Sequence, residues 1–168
     1  MANEATNVFG RNSLTCFDDA TMDLIRQGIN PLWFDGLKVS ISSDDSKAIN
    51  DIPESKVIIS ASGMCEAGRI RHHLKHNLWR ADSAILFVGY QAQGTLGRSI
   101  LEGAETVKLF GEPIEIKARI HTLEGISGHG DSAGLLKWAG SFQKKPRHIL
   151  VTHGEEAVCE HFTQLRCV

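Results

Sequence analysis

Apolar positions along this chain change between helical spacing and short runs, so the sequence predicts helices interleaved with strands. An apolar face at helical spacing predicts a helix over residues 17–29, and a Ser/Asp-rich cap signature predicts a short polar helix from Ser42 through Ile49. Short apolar runs and alternations bounded by turn residues predict strands, of which 57–59 and 84–88 read as buried and parallel. The predicted strands cover residues 37–41, 57–59, 84–88, 107–110 and 147–152.

The second half of the chain continues this alternation of elements. Residues 114–120 alternate strictly between apolar and polar side chains, which predicts a half-buried strand after a turn at 111–113. Further helices are predicted over about 65–79, after the loop at 89–98 and after Asp131. Strands that alternate with helices predict an α/β fold, a mainly parallel sheet with flanking helices.

Composition narrows the class of protein without naming a function. A chain of 168 residues with 42% hydrophobic and 23% charged residues is typical of one soluble globular domain. The formal net charge of −2 gives no global basic signal for nucleic acid, so contact with a polyanion would need a local patch.

Cysteine usage and the amino terminus bear on the compartment. Four scattered cysteines form no CxxC pair, which indicates free thiols in a reducing environment. We find no signal-type apolar run at the amino terminus and no stretch long enough to span a membrane. We therefore expect a cytoplasmic protein without a membrane partner.

Two histidines in glycine-rich segments are the leading candidates for chemistry. Ser127-Gly128-His129-Gly130-Asp131 precedes a predicted helix, and Val151-Thr152-His153-Gly154-Glu155 follows a predicted strand. Each histidine is either functional or a hydrogen-bonded turn residue. Imidazole is both a common zinc ligand and a common proton donor near neutral pH. A catalytic zinc needs three protein ligands, so a metal site here would take most of its ligands from elsewhere.

A serine-rich turn offers a second candidate site. Ser60-Ala61-Ser62-Gly63 lies between a predicted strand and a predicted helix, where backbone amides and hydroxyls suit either a phosphate or a simple helix cap. A serine-hydrolase elbow would need glycine at positions 60 and 64, which hold Ser60 and Met64. The elbow interpretation is therefore weak.

Two basic segments complete the candidates. The loop Gly89–Arg98 matches neither a Walker loop nor GxGxxG; Arg98 could bind a phosphate or pair with Glu102 one helical turn away. His72 and His76 have a spacing that can chelate a metal, but a solvated basic helix face is favoured, with a local RNA-facing patch second.

Four of these segments, in this order, resemble the β-CASP metallo-β-lactamase RNA nucleases. They are VIISASGM at 57–64, FVGYQAQGTLGR at 87–98, SGHGD at 127–131 and VTHGE at 151–155. The resemblance runs from about Phe17 to the end of the chain. It implies a partial Rossmann-like β-CASP domain over residues 1–113 and strands that return to a metallo-β-lactamase domain over 114–168.

The resemblance also implies roles for individual residues. It implies that His129 contacts the scissile phosphate and protonates the leaving oxygen, and that His153 binds one of two zinc ions in a two-metal hydrolysis of RNA. Ser62, Gly63, Arg98 and Ser127 are implied to bind RNA or phosphate.

The amino-terminal half of the family's pattern, with its His-x-His-x-Asp-His cluster, does not occur in this sequence. We therefore expect a fragment that is inert by itself and retains no zinc, whose partners are RNA and a metallo-β-lactamase domain in cis, with a homo-oligomer left open. The alternative is a non-catalytic Rossmann-like module that binds RNA or a nucleotide phosphate through Ser62, Arg98 and His129.

Overall fold

The computed structural model describes residues 2–123, 125–126 and 128–165. Eight α-helices and four strands are present among these residues, and contacts divide the chain into two compact units, Met1–Asp51 and Ile52–Val168. The helices are α1 (Ala2–Arg11), α2 (Ser13–Cys16), α3 (Asp19–Arg26), α4 (Ser43–Ala48), α5 (Ile70–Asn77), α6 (Leu96–Leu101), α7 (Ser132–Gly140) and α8 (Glu156–Gln164). The strands are β1 (Ala84–Phe87), β2 (Thr106–Leu109), β3 (Glu112–Glu115) and β4 (Arg119–Thr122).

The first unit is built from short helices whose starts are fixed by side-chain caps. The carboxylate of Asp18 accepts a hydrogen bond from the Thr21 amide at 2.9 Å and begins α3. Ser42 and Asp45 form a reciprocal capping box at the start of α4, which a 3₁₀ turn at Ile49–Asp51 extends. The predicted helices at 17–29 and 42–49 are therefore confirmed in type and position.

The second unit contains two small sheets. Strands β1 and β4 pair in parallel, with Ala84 opposite Arg119 and Phe87 opposite Thr122, and β2 and β3 form an antiparallel hairpin. The hairpin turn holds Phe110 and Gly111 at φ of 53° and 84°, as a two-residue turn of this hand requires. The α/β class with helices and a parallel sheet is confirmed, although the sheet is small.

One apolar cluster fills the interior of the second unit, between α5, α6 and the strands. Leu74, Leu78, Ile100 and Leu109 are at most 1% exposed. Cys65, Phe87 and Val107 complete this cluster. The core therefore holds β1 and the base of the loop that follows it.

Three predicted strands are wrong. Residues 37–41, 57–59 and 147–152 have no regular structure, and Val57, Ile59 and Leu150 are 89%, 91% and 85% exposed. A strand needs a neighbouring backbone to complete its hydrogen bonds, and none of the paired strands in the described part of the chain lies beside these runs.

Two further elements are shorter than predicted. Cys65 and Gly68 have φ of 61° and 78°, so the predicted helix over 65–79 cannot begin before α5 at Ile70. The predicted strand 114–120 is split because the amides of Lys117 and Ala118 donate to the Leu78 carbonyl at 2.8 and 2.9 Å. The predicted turn at 111–113 begins at Phe110, and β3 starts at Glu112.

Candidate functional site

His129 lies on the loop that leads from β4 into α7. Its side chain is exposed, and Asp131 two residues later caps α7 by accepting a hydrogen bond from the Gly134 amide at 2.6 Å. The helix predicted after Asp131 is therefore confirmed, and this cap fixes where the histidine loop ends. Ser127, a predicted phosphate ligand, lies outside the described residues.

His153 lies in a tight turn before α8. Its side chain is exposed, and its φ of 68° is unusual for a residue other than glycine. Gly154 leaves no room for a side chain, because an added Cβ would lie 2.9 Å from the Sγ of Cys159. The left-handed backbone at His153 is the kind of local strain that clusters at functional sites.

Glu155 ties this turn to the glycine-rich loop at 89–98. It stands at the start of α8 but makes no cap hydrogen bond. Instead its carboxylate accepts hydrogen bonds from the Tyr90 hydroxyl, from Gln93 Nε2 at 3.3 Å and from Arg98 Nη1 at 3.4 Å. The sequence motif contains Glu155 but does not predict this role, since the contacts span 57 to 65 residues.

Arg98 is held by several acceptors. Its Nε donates to Glu102 at 2.6 Å and its Nη1 also donates to the Gln91 carbonyl at 3.2 Å. The hydrogen bond to Glu102 is the largest cause of the raised pKa of the Arg98 guanidinium. The alternative in which Arg98 pairs with Glu102 is confirmed, so an RNA phosphate would have to compete with two carboxylates for this guanidinium.

Met64, directly after Ser62 and Gly63, contacts the same loop. The carbonyl of Met64 accepts from the Gly97 amide at 3.1 Å, and the Met64 sulfur lies 3.2 Å from the Ala92 amide. Because α5 begins only at Ile70, neither Ser62 nor Gly63 stands at a helix amino terminus, so the interpretation of this turn as a helix cap is wrong, while its implied contact with RNA or phosphate stays a prediction.

Tyr90 is the point at which these loops meet. Its hydroxyl donates a hydrogen bond to Glu155, two residues after His153. The segment that contains Tyr90 also lines a cleft together with Gly125 and Ile126, which precede His129 in the sequence. Glu155 raises the pKa of the Tyr90 phenol, first through this hydrogen bond. Both histidine loops thus border the glycine-rich loop around one exposed aromatic ring.

The cleft beside Tyr90 opens at the carboxyl ends of the two parallel strands. Its volume is about 280 Å³, and it is lined by residues 87–90 after β1 and by Thr122, Leu123, Gly125 and Ile126 after β4. Ligands of α/β proteins bind at such carboxyl ends.

A zinc centre does not fit the described residues taken alone. No group of three or more His, Cys, Asp or Glu side chains that could hold a metal ion occurs among them, and zinc requires at least three protein ligands. His72 stacks on Phe110 at 4.5 Å, and Arg71 lies 4.9 Å above the same ring.

The residues that the structure describes contain no helix long and apolar enough to cross a bilayer.

Comparison with known proteins identifies the class. Residues 1–100 match the family model of the Beta-Casp domain, and residues 113–166 match the Zn-dependent metallo-hydrolase RNA specificity domain. The chain belongs to the Beta-Casp family, as the resemblance implied.

Individual relatives carry the likeness further. The chain is 45% identical over 130 residues to "Ribonuclease TTHA0252" of Thermus thermophilus, covering 77% of this chain and 29% of that protein. It is 34% identical over 144 residues to "Transcription termination factor FttA" of Methanocaldococcus jannaschii, covering 83% of this chain and 23% of the relative. The chain thus spans less than a third of the length of these relatives.

Proposed function

We propose that this chain forms the RNA-facing part of a zinc-dependent nuclease that hydrolyses phosphodiester bonds of RNA. The observation that carries the proposal is that loop 89–98 contacts Met64 and Glu155 and lines a cleft together with Gly125 and Ile126, although these residues lie far apart in sequence. The match to the Zn-dependent metallo-hydrolase RNA specificity domain, the match to the Beta-Casp domain and a relative named a ribonuclease support it.

His129 contacts the scissile phosphate and gives its proton to the leaving oxygen. Its imidazole is exposed on the loop between β4 and α7, and histidine is the side chain that most often serves as a general acid. His153 offers a nitrogen ligand to zinc, which would supply Lewis acidity when bound. Because the described residues lack a three-ligand group, the other ligands must come from polypeptide outside them.

The first test compares this chain with the protein of its full reading frame. We expect the purified 168-residue chain to bind single-stranded RNA but to leave it uncut in zinc. We expect the longer protein to cut RNA, and His129→Ala to lower its rate roughly 10²- to 10⁴-fold, the usual contribution of a general acid.

The matched control is His148→Ala, which removes another exposed histidine of a loop and should leave the rate unchanged. Zinc-stimulated cleavage by the short chain would contradict its expected inertness. Equal rates for the His129→Ala and His148→Ala proteins would contradict the role of His129.

A second candidate is a non-catalytic module that binds RNA or a nucleotide phosphate through Ser62, Arg98 and His129. The lack of a three-ligand metal group in the described ranges favours it. RNA binding that survives both His153→Ala and removal of zinc, with no cleavage by the longer protein, would decide for the module.

A further inference from the structure

The cleft at the ends of β1 and β4 differs in chemistry from a phosphate site. Among the described residues, its lining consists of four apolar residues, two glycines, Thr122 and Tyr90, with no charged residue. Its volume of about 280 Å³ lies just under the roughly 300–1,000 Å³ of pockets for drug-sized ligands, so it suits a single planar ring.

The ring of Tyr90 is exposed and yet anchored. The residue is 58% exposed, while its hydroxyl donates to the carboxylate of Glu155. Glu155 is itself held by Gln93 and Arg98, so the acceptor cannot swing away freely. An aromatic side chain with a fixed polar end presents its face to solvent at a low further cost in entropy.

Apolar rim residues continue the surface around this ring. Val88, Leu123 and Ile126 are 47%, 42% and 61% exposed and border the cleft with Tyr90. The rim runs directly into the loop that carries His129, three residues after Ile126.

We propose that the cleft lined by residues 87–90 and by Thr122, Leu123, Gly125 and Ile126 binds one unpaired nucleobase of single-stranded RNA, stacked on the ring of Tyr90. The inference rests on the proposed function for the identity of the polymer, and adds to it the part of the substrate that is read. Stacking on an aromatic face tolerates any base, so this site supplies affinity and position without fixing sequence.

The test measures binding of two labelled probes to the 168-residue chain by fluorescence anisotropy. One probe is a short oligouridylate and the other is an abasic oligomer of equal length and charge. We expect tighter binding of the oligouridylate. Tyr90→Leu should weaken that binding roughly 5- to 150-fold, since stacking of a base contributes about 1–3 kcal/mol, and should leave the abasic probe unaffected.

Two further variants separate stacking from folding. Tyr90→Phe keeps the ring and loses the hydroxyl, so it should bind oligouridylate within a few-fold of the parent chain. Trp138→Leu removes another exposed aromatic residue, on α7 and outside the cleft lining, and should leave binding of both probes unchanged. Far-UV circular dichroism of each variant establishes that its helices are retained.

Each of the following results would contradict the proposed nucleobase site. Equal affinity for the two probes, or equal loss in Tyr90→Leu and Trp138→Leu, would show that RNA is held through its phosphates alone, and would leave the nuclease proposal standing. Self-association that Ile126→Asp abolishes without a change in oligouridylate affinity would make the cleft a protein interface. Absence of RNA binding by the folded chain would contradict both the proposed nucleobase site and the expected binding of RNA. Failure of the longer protein to cleave RNA would contradict only the proposed activity.

Discussion

Gln91 turns its side chain inward although it belongs to a loop. The residue is 3% exposed, and its Nε2 donates to the carbonyls of Gly89 and Tyr90 at 3.1 and 3.2 Å. Its Oε1 is buried and has no partner among the residues described, and an added Cβ at Gly97 would lie 1.9 Å from it. Position 97 therefore needs glycine because of this close approach, not because of its backbone angles.

Replacement of that glycine should be destabilising even though it lies in a helix. Gly97→Ala would ordinarily stabilise α6 by about 0.5–1 kcal/mol, but the clash with Gln91 should lower the free energy of unfolding by roughly 1–3 kcal/mol instead. Urea denaturation measures the sign. Gly89→Ala is the control, since no atom lies within 4 Å of its added Cβ; a more stable Gly97→Ala protein would show that Gln91 yields.

Helices α7 and α8 show how similar sequences acquire different functions at their starts. An acidic residue precedes each helix two positions after a histidine. Asp131 is short enough to reach back to the Gly134 amide, whereas the longer side chain of Glu155 reaches to the glycine-rich loop. One carboxylate thus stabilises its own helix, and the other fixes a turn to a neighbouring segment.

The cap of α7 gives a prediction at this scale. Asp131→Ala should lower the free energy of unfolding by about 1 kcal/mol, because the amide at Gly134 loses its acceptor. Asp131→Asn keeps a side-chain oxygen at the same place and should retain most of the stability in thermal or urea unfolding followed by circular dichroism. Equal losses in the two variants would mean that the carboxylate charge, rather than the cap geometry, is what matters.

Local elements were predictable from sequence, and long-range pairing was not. Helices α3 and α4 and their caps depend on hydrogen bonds between residues that are close in sequence. Asp18 and Ser42 therefore predict where these two helices begin. Strands at 57–59 and 147–152 had the composition of strands, but their formation depends on a partner backbone that no periodicity specifies. Capping residues therefore predicted more reliably than β-branched runs.

At the scale of the whole molecule, each motif that resembles those of the nucleases could be recognised in the sequence. The contacts between these motifs could not. Sequence singled out His129, His153 and Arg98 because glycine-rich segments and charges mark them. Two contacts join segments that only folding brings together: Arg98 donates a hydrogen bond to Glu155, and the Gly97 amide donates one to the Met64 carbonyl. Loop 89–98 contacts two of the other three segments, and it borders a shared cleft with the third. The placement of the site residues therefore depends on this one loop.

Tyr90 is the only tyrosine in the 168 residues, so the titration of its phenol can be followed by ultraviolet absorption. Because its phenol donates to a carboxylate, the pKa of Tyr90 is raised in the folded chain, and alkaline titration of the phenolate band should reach its midpoint at higher pH than in urea-unfolded protein. The stabilising effect of this contact is complete below the unfolded pKa and disappears as pH rises through the folded one. Glu155→Gln should shift the folded midpoint downward, and coincident folded and unfolded curves in the parent chain would mean that the phenol and the carboxylate do not meet in solution.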